Sequence, residues 1–272
     1  MRPRTWTTRL ATLLLAVGTI GTVACGSGEP STDAERLARG RELVAQMSAK
    51  LAAATHASTT TTEIRDVVRG SRAKEQVSRT GEYAVRRPDR FHAKASGSRP
   101  FEMWYDGQRV IAADHEQKVF AEAPMPETID RTLDALAERF AMPLPLGDLF
   151  YSSAEQALLS ETTTGGYVDR QAVEGVQCHH LAFRDKGVDW ELWLPVEGEP
   201  LPKRFRVVQT QRTGQPVIDL TFKTWDLTTP AAEGRFVASI PADYEGIAIL
   251  QTAAAVKNSA DVAPPADPAT KK

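Results

Sequence analysis

Two blocks of alternating sequence, separated by a helical segment, are the feature that most restricts how this chain can fold. In both blocks apolar or β-branched residues recur at every second position, which is typical of strands with one buried face. The predicted strands lie near 59–69, 74–86, 89–96, 100–105, 108–114 and 117–122, and then near 166–173, 176–185, 188–194, 203–212, 216–226 and 235–239. About 11 antiparallel strands cannot stay flat, because strands twist. We therefore expect one strongly curved antiparallel sheet, an open or half β-barrel.

Helical spacing precedes the first block. Thr32 and Glu35 have the spacing of a capping box, in which the two side chains satisfy free N–H groups at the start of a helix. Apolar residues then recur every four positions, so we expect a helix near 33–54.

Helical spacing returns between the two blocks. The apolar residues of this segment form one stripe of a helix: Ile129, Leu133, Leu136 and Phe140. Pro126 predicts the start of the helix, and Pro143 and Pro145 predict its end. Short helical pieces are expected near 147–151 and 153–160. The whole pattern predicts one α+β domain, in which the N-terminal helix and this helical insertion cover the concave face of the sheet.

Residues 1–24 have the composition of a signal peptide. Three arginines and no acidic residue precede an apolar run that ends in Thr-Val-Ala-Cys at Cys25. This ending resembles a lipobox, in which Cys25 becomes the lipidated first residue, although Thr22 stands where an aliphatic residue is usual. The small residues also suit ordinary signal peptidase, which would leave Cys25 as a plain N-terminus. We expect an exported protein of the periplasm or cell envelope, held at a membrane by a lipid on Cys25.

Composition divides the rest of the chain into three parts. Residues 25–32 are small and polar, and we expect a flexible tether there. The two strand blocks and the helices occupy residues 33–250, without an internal linker. Residues 251–272 are rich in Ala, Pro and charge, and such a segment buries too little surface to order itself, so we expect a disordered tail.

Charge and motifs exclude several functions. The chain has 272 residues with 33 basic and 35 acidic side chains, and this net charge of −2 provides no basic field for nucleic acid. It contains neither a phosphate loop nor a Gly-x-Ser-x-Gly elbow. We expect a protein that is not an enzyme and that uses no cofactor.

Cys178, His179 and His180 form the one cluster that suggests a metal site or a nucleophile. On a strand, however, Cys178 and His180 point to one side and His179 to the other, so at most two ligands converge. A third ligand such as His92 would have to come from elsewhere in the chain. The alternative is a buried thiol beside hydrogen-bonded histidines, and on that interpretation there is no metal site.

Two groups of charged residues leave alternatives open. The arginine-rich segment 86–90 could recognise a phosphate or a carboxylate through guanidinium groups, or could be a solvated hairpin corner. Asp185, Asp189 and Glu191 flank a predicted turn, where they could form a catalytic carboxylate pair or remain solvated turn charges.

Five segments together resemble a family of predicted periplasmic proteins of unknown function. They are VRRPDR at 85–90, FEMWYDG at 101–107, CHHLAFR at 178–184, DWELW at 189–193 and PLPK at 200–203. The resemblance covers about residues 33–248. This family is part of the lipoprotein-carrier superfamily that includes LolA, LolB and LppX. The resemblance implies an open half-barrel with helices as a lid over an apolar cavity that holds acyl chains, and it implies no catalytic residues.

Two functions follow as alternatives. In the first, a lipid or other long apolar ligand occupies a cavity between the curved sheet and the helices. The expected lining residues are Ile129, Leu133, Leu136, Phe140, Phe150 and Trp190. In the second, the core is filled, and the chain is a regulatory or structural envelope lipoprotein that contacts a protein partner and binds no ligand.

Overall fold

A computed structural model describes residues 29–69, 73–142, 144 and 146–249. In this part of the chain there are four α-helices and one 12-stranded sheet. The helices are α1 Asp33–Ala52, α2 Ile129–Phe140, α3 Gly147–Phe150 and α4 Ala154–Leu159. The strands are β1 His56–Arg69, β2 Ala73–Arg86, β3 Arg90–Gly97, β4 Phe101–Tyr105, β5 Arg109–Asp114, β6 Val119–Pro124, β7 Thr164–Val173, β8 Val176–Asp185, β9 Val188–Pro195, β10 Arg204–Gln209, β11 Val217–Asp226 and β12 Glu245–Gly246.

The sheet is a single, open and almost wholly antiparallel ribbon. Its strand order is β12-β6-β5-β4-β3-β2-β1-β11-β10-β9-β8-β7, so each predicted block forms a meander of neighbouring strands. The pairing of β1 with β11 joins the two meanders. Only β12, which pairs with β6, runs parallel to its neighbour. The predicted α+β fold with one open antiparallel sheet is confirmed.

Helix α1 begins as its sequence predicts. The Thr32 side chain accepts a hydrogen bond from the Glu35 N–H, and the Glu35 carboxylate accepts one from the Thr32 N–H, which completes the capping box. The helix lies against β7 so closely that a Cβ on Gly40 would be 2.7 Å from the Cα of Gly166. Only glycine fits this crossing of helix and strand.

Helix α2 begins later than predicted. Thr128 is its N-cap and accepts a hydrogen bond from the Arg131 N–H, so the helix starts at Ile129 and Pro126 precedes it. A threonine in extended conformation caps free N–H groups, which proline at the first position cannot do. The helix ends at Phe140, and its C-cap Ala141 has a left-handed backbone (φ 51°). Pro143 and Pro145, the predicted stops, lie outside the described residues.

One large core fills the space between the sheet and the helices. We call the face of the sheet that the helices cover the inner face, and the opposite face the outer face. Alternate residues of the strands point to the inner face, and together with α1, α2, α3 and α4 they form one apolar cluster. The predicted helical cover of the sheet is therefore present.

The segment after β11 covers part of the outer face. The prediction of a strand near 235–239 is wrong, because the chain forms a 3-10 turn at Glu233–Phe236 instead. Phe236 is buried there, and the Arg86 guanidinium lies over its ring at 5.4 Å. Arg235 Nε donates to His92 Nδ1 at 3.3 Å. Its contacts with Arg86 and His92 on the outer face hold this segment in place. The alternating sequence pattern does not contain these contacts, and it therefore predicted one more strand of the sheet.

The predicted signal peptide, the first half of the predicted tether including Cys25, and the predicted tail lie outside the described residues. No helix within the described ranges has the length and apolar character needed to cross a bilayer.

Candidate functional site

An apolar cavity lies beneath α2. Its volume is about 20 Å³, which is room for roughly one water molecule. The wall on the sheet side comes from β2 and β3, and the cover comes from α2, α3 and the residues between them. The apolar side chains that line it are Tyr83, Val85, Phe91, Ala93, Ile129, Leu133, Leu144, Leu146 and Phe150.

An open groove lies next to this cavity, and we call it the mouth groove. Its volume is about 740 Å³. It is bounded by the hairpin end of β1 and β2 and by the turn between β3 and β4. The residues after α2 and the turn between β10 and β11 form the rest of its border. Leu144 lines both the cavity and the mouth groove, so the two spaces lie on either side of one side chain.

The predicted lining residues divide into two groups. Ile129, Leu133 and Phe150 line the cavity. Leu136 and Phe140 are buried in the same core but do not line it. Trp190 lies elsewhere in the core, where it stacks on Phe183 with ring centroids 4.4 Å apart and donates to Asp185.

Helix α2 is attached to its surroundings by several hydrogen bonds, among them those from the Ser152 N–H and hydroxyl to Asp130 and from Arg139 to the Pro124 carbonyl. At its start, the Ile129 N–H donates to the Pro88 carbonyl at 2.9 Å. On its exposed side, Asp134 accepts a hydrogen bond from the Tyr151 hydroxyl at 2.7 Å. Its inward contacts are those of its buried apolar side chains. Displacement of α2 would break these hydrogen bonds but no strand pairing.

A buried polar cluster interrupts the apolar inner face, on the hairpin of β1 and β2. Glu63 is fully buried and accepts a hydrogen bond from Arg79 Nε at 2.6 Å and another from the Tyr83 hydroxyl. Burial, together with the charge of Glu63, raises the pKa of Tyr83 far above its usual range, so the phenol keeps its proton and remains a donor. Arg65 Nη2 lies 3.6 Å from the Glu63 carboxylate, too far for a hydrogen bond.

Gly81 makes room for this cluster. A Cβ there would lie 2.5 Å from Thr61 Oγ1 and closer still to the Glu63 carboxylate. The sequence analysis did not single out this cluster. Period-two alternation places Glu63 and Arg65 on one face of β1, but the other face of that strand is also polar, so alternation could not show which face is buried.

The structure separates the residues that suggested a metal site. Cys178 and His180 lie on the outer side of β8, and His179 lies on the other side, in edge contact with Tyr167. His92 pairs with Glu102 at 2.8 Å on a distant strand. Among the described residues, no three His, Cys, Asp or Glu side chains are grouped so as to hold a metal ion.

The other charged groups of the sequence have structural partners. Arg87 donates to the carbonyls of Phe150 and Tyr151 at 2.9 and 3.1 Å, which fixes the end of α3. Arg90 pairs with the carboxylate of Asp89 at 2.8 Å. The arginine-rich segment thus supports a corner of the fold.

The three carboxylates near the turn between β8 and β9 do not form a pair. Asp185 accepts from the indole of Trp190 at 2.9 Å, Asp189 lies 3.9 Å from Arg184, and Glu191 pairs with His180 at 2.8 Å. Each therefore interacts with a different neighbour.

The comparison with protein families decides how the chain is classified. The model of a family described as predicted periplasmic protein (DUF2092) matches residues 40–250. The chain belongs to this family. No curated protein matches it.

Solved structures similar to this DUF2092 protein share little sequence with it. An uncharacterized conserved protein from Thermus thermophilus is 11% identical, with 76% of this chain and 98% of that chain covered and a TM-score of 0.45. The Mycobacterium tuberculosis lipoprotein LppX is 12% identical, with 70% of this chain and 97% of that chain covered and a TM-score of 0.41. A chain of the Pseudomonas aeruginosa MucA/MucB complex is 14% identical, with 74% of this chain and 61% of that chain covered and a TM-score of 0.40.

Proposed function

We propose that this chain is an envelope protein that binds a lipid or another long apolar ligand between the inner face of its sheet and helix α2. The observation that carries the proposal is the apolar cavity beneath a helix that no strand pairing holds, beside an open groove. The family description as periplasmic supports the location. Ile129, Leu133 and Phe150 would contact the ligand first, and Leu136 and Phe140 would do so once α2 moves.

Binding requires α2 to move. Pockets for small molecules usually measure about 300–1,000 Å³, whereas this cavity holds about 20 Å³. A 16-carbon chain gains roughly 12 kcal/mol gross when it leaves water, at about 0.8 kcal/mol per methylene. In the same step the apolar side chains of α2 move away from the sheet. Their contacts with the inner face are replaced by contacts with the hydrocarbon chain of the ligand.

The test is native mass spectrometry of the freshly purified mature protein, followed by delipidation and titration with a fluorescent 16-carbon fatty acid. We expect co-purified lipid, saturable uptake of the probe, and slower hydrogen exchange in α2 when the probe is bound. Absence of lipid together with no uptake would refute the proposal.

A blocking variant shows where the ligand lies. Ala93 forms part of the sheet wall of the cavity, so Ala93→Phe should weaken probe binding at least tenfold. Val237→Phe places the same ring on an exposed position of the outer face and should bind as the wild type does. If Ala93→Phe does not fold, the hydrogen exchange of α2 in the unmodified protein, with and without probe, still tests the position.

We also propose that Cys25 carries a lipid that holds the protein at a membrane. The signal sequence that ends at Cys25 supports this. Cys25→Ala should move the protein from the membrane fraction to the soluble periplasmic fraction and remove the acyl mass from the mature N-terminus. An unchanged fraction and mass would overturn the anchor and leave the ligand proposal intact.

A further inference from the structure

Arg65 lines the mouth groove and carries two N–H groups that lack an acceptor among the described residues. Its side chain is 22% exposed, and its Nε and Nη2 atoms are buried without a hydrogen-bond partner. Glu63, the nearest acid, is already bonded to Arg79 and Tyr83. A buried donor that lacks an acceptor destabilises a protein, and a charged one does so more strongly. Because it lines the groove and its ion pair with Glu63 is long, the partly exposed guanidinium has the chemistry of an anion site.

The charges around the mouth groove favour an anion. Arg65, Arg79, Arg99 and Arg212 line it, and the acids that line it are Asp66 and Asp114. Asp66 pairs with Lys74 at 3.3 Å and also accepts from the Val217 N–H at 3.2 Å. Asp114 accepts from the N–H groups of Glu116 and Gln117 in the next turn. Asp66 is thus paired with a lysine, as Arg79 is paired with Glu63. The remaining charges that line the groove are Arg65, Arg99 and Arg212 against Asp114, which is an excess of positive charge.

The same groove has apolar walls that lead towards the cavity. Phe101, Met142 and Ile218 line it together with the arginines, and Leu144 separates it from the space beneath α2. Ile218 is directly paired with Arg65 across β1 and β11, so an apolar and a cationic side chain stand side by side on the inner face. An amphiphile matches this sequence of surfaces, with its head at the arginines and its tail beyond Leu144.

We propose that the mouth groove binds the anionic head group, a carboxylate or a phosphate, of an amphiphile whose tail occupies the space beneath α2. Arg65 makes the main contact, through the parallel N–H donors that a guanidinium offers to such oxygens. Arg99 and Arg212 add charge at the rim. This inference rests on the proposed function and names the class of its ligand.

The test compares the affinities of compounds that share a 16-carbon chain and differ in their head group. Hexadecanoic acid, hexadecanol and 16-carbon lysophosphatidic acid are titrated into delipidated protein, and inorganic phosphate serves as a probe without a tail. In the wild type we expect the two acids to bind at least tenfold more tightly than the alcohol, since a charge-assisted hydrogen bond contributes about that much. Arg65→Gln should reduce this ratio to near one and leave the affinity for hexadecanol unchanged.

Two controls separate a binding role from a structural one. Arg184→Gln removes an arginine that is 75% exposed on β8, and it should keep the wild-type ratio. Arg65→Gln should melt close to the wild-type temperature without ligand, because Glu63 keeps its hydrogen bonds with Arg79 and Tyr83. A lower melting temperature with an unchanged ratio would show that Arg65 only supports the fold.

The outcomes distinguish this inference from the proposed function. Equal affinity of the wild type for hexadecanoic acid and hexadecanol overturns the head-group site, while binding of the chain still stands. Binding of phosphate as tightly as of the lipids makes the groove a free-anion site and also overturns the inference. If none of the 16-carbon compounds binds, the proposed function itself fails.

Discussion

The two halves of the inner face use different side chains to meet their helices. In the half under α1, formed by β7–β11, large side chains fill the space: Phe183, Trp190, Leu192, Phe205, Leu220 and Phe222. In the half under α2, formed by β3–β6, the inner face mixes large side chains such as Phe91, Met103 and Tyr105 with five buried alanines: Ala93, Ala95, Ala112, Ala121 and Ala123. We call these the α1 half and the α2 half. Large side chains fill the α1 half, whereas in the α2 half the side chains of α2 pack over the alanines and leave a small cavity.

This difference implies that the α1 half supplies the rigid core and the α2 half the part that opens. In the α1 half, glycines let α1 touch β7, and Arg36 donates to the Val168 carbonyl at 2.9 Å. Ser48 in α1 accepts from the N–H of Glu155 at 3.0 Å, which joins α1 to α4. Helix α2 has polar ties as well, at its start, on its exposed side and from Arg139 to the Pro124 carbonyl of β6. The two helices therefore differ in how closely they approach the sheet and not in their number of hydrogen bonds.

The largest expected effect comes from one matched pair of deletions. Leu192→Ala in the α1 half should lower the free energy of unfolding by about 4–5 kcal/mol, because rigid neighbours cannot close the cavity it leaves. Leu133→Ala in the α2 half should cost only about 2–3 kcal/mol, since α2 can settle into the space. Both leucines are buried, 0% and 6% exposed. Urea unfolding measures the two values, and equal losses would show that the halves are equally rigid.

The second prediction concerns the close contact between α1 and β7 at Gly40. Gly40→Ala should destabilise the protein by about 1–3 kcal/mol, because the added methyl group meets the backbone of β7. In an isolated helix, Gly→Ala increases stability. The sign of the change in the free energy of unfolding therefore tests whether α1 and β7 cross closely. Gly234→Ala is the control, since a Cβ there meets nothing within 4 Å. A stabilised Gly40→Ala variant would mean that α1 is loosely attached too.

The sequence predicted the sheet better than it predicted the site, for a physical reason. Alternation and capping are local, so the strands, the start of α1 and the apolar stripe of α2 follow from neighbouring residues. The mouth groove depends on β1 meeting β11, which brings Arg65 beside Ile218 across a long stretch of chain. Trp190 illustrates the same limit, because its pattern showed that it would be buried but not which half would bury it.

A smaller effect is expected from filling the cavity. Ala93→Val adds two methyl groups at the wall of a cavity of about 20 Å³ and keeps good strand propensity. We expect stabilisation of about 0.5–1 kcal/mol in thermal unfolding, together with weaker uptake of the fatty-acid probe. Ala57→Val, at another buried alanine on the hairpin of β1 and β2, is the control and should not stabilise. Loss of stability on Ala93→Val would indicate that the α2 half is already fully packed.

Each half also carries a carboxylate and histidine cluster on its outer face. In the α1 half, Glu191 binds His180 at 2.8 Å and pairs with Arg206. The hydrogen bond from His180, followed by that from Arg206, outweighs burial and lowers the pKa of Glu191 below its ordinary value of 4.5. In the α2 half, burial is the largest influence on Glu102 and works against the charged form, but its histidine partners and Lys94 still lower the pKa of Glu102.

These clusters give the smallest predicted effect, a change in how stability depends on pH. A carboxyl whose pKa is lower in the folded state stabilises the fold above its unfolded pKa, and this contribution disappears as the pH falls through the folded pKa. Between about pH 5 and 3, Glu191→Gln should therefore lose less stability than the wild type. Glu102→Gln should show a weaker change of the same sign, because burial opposes its charge. Urea unfolding at each pH measures both, and a Glu191→Gln curve parallel to the wild type would contradict the assignment.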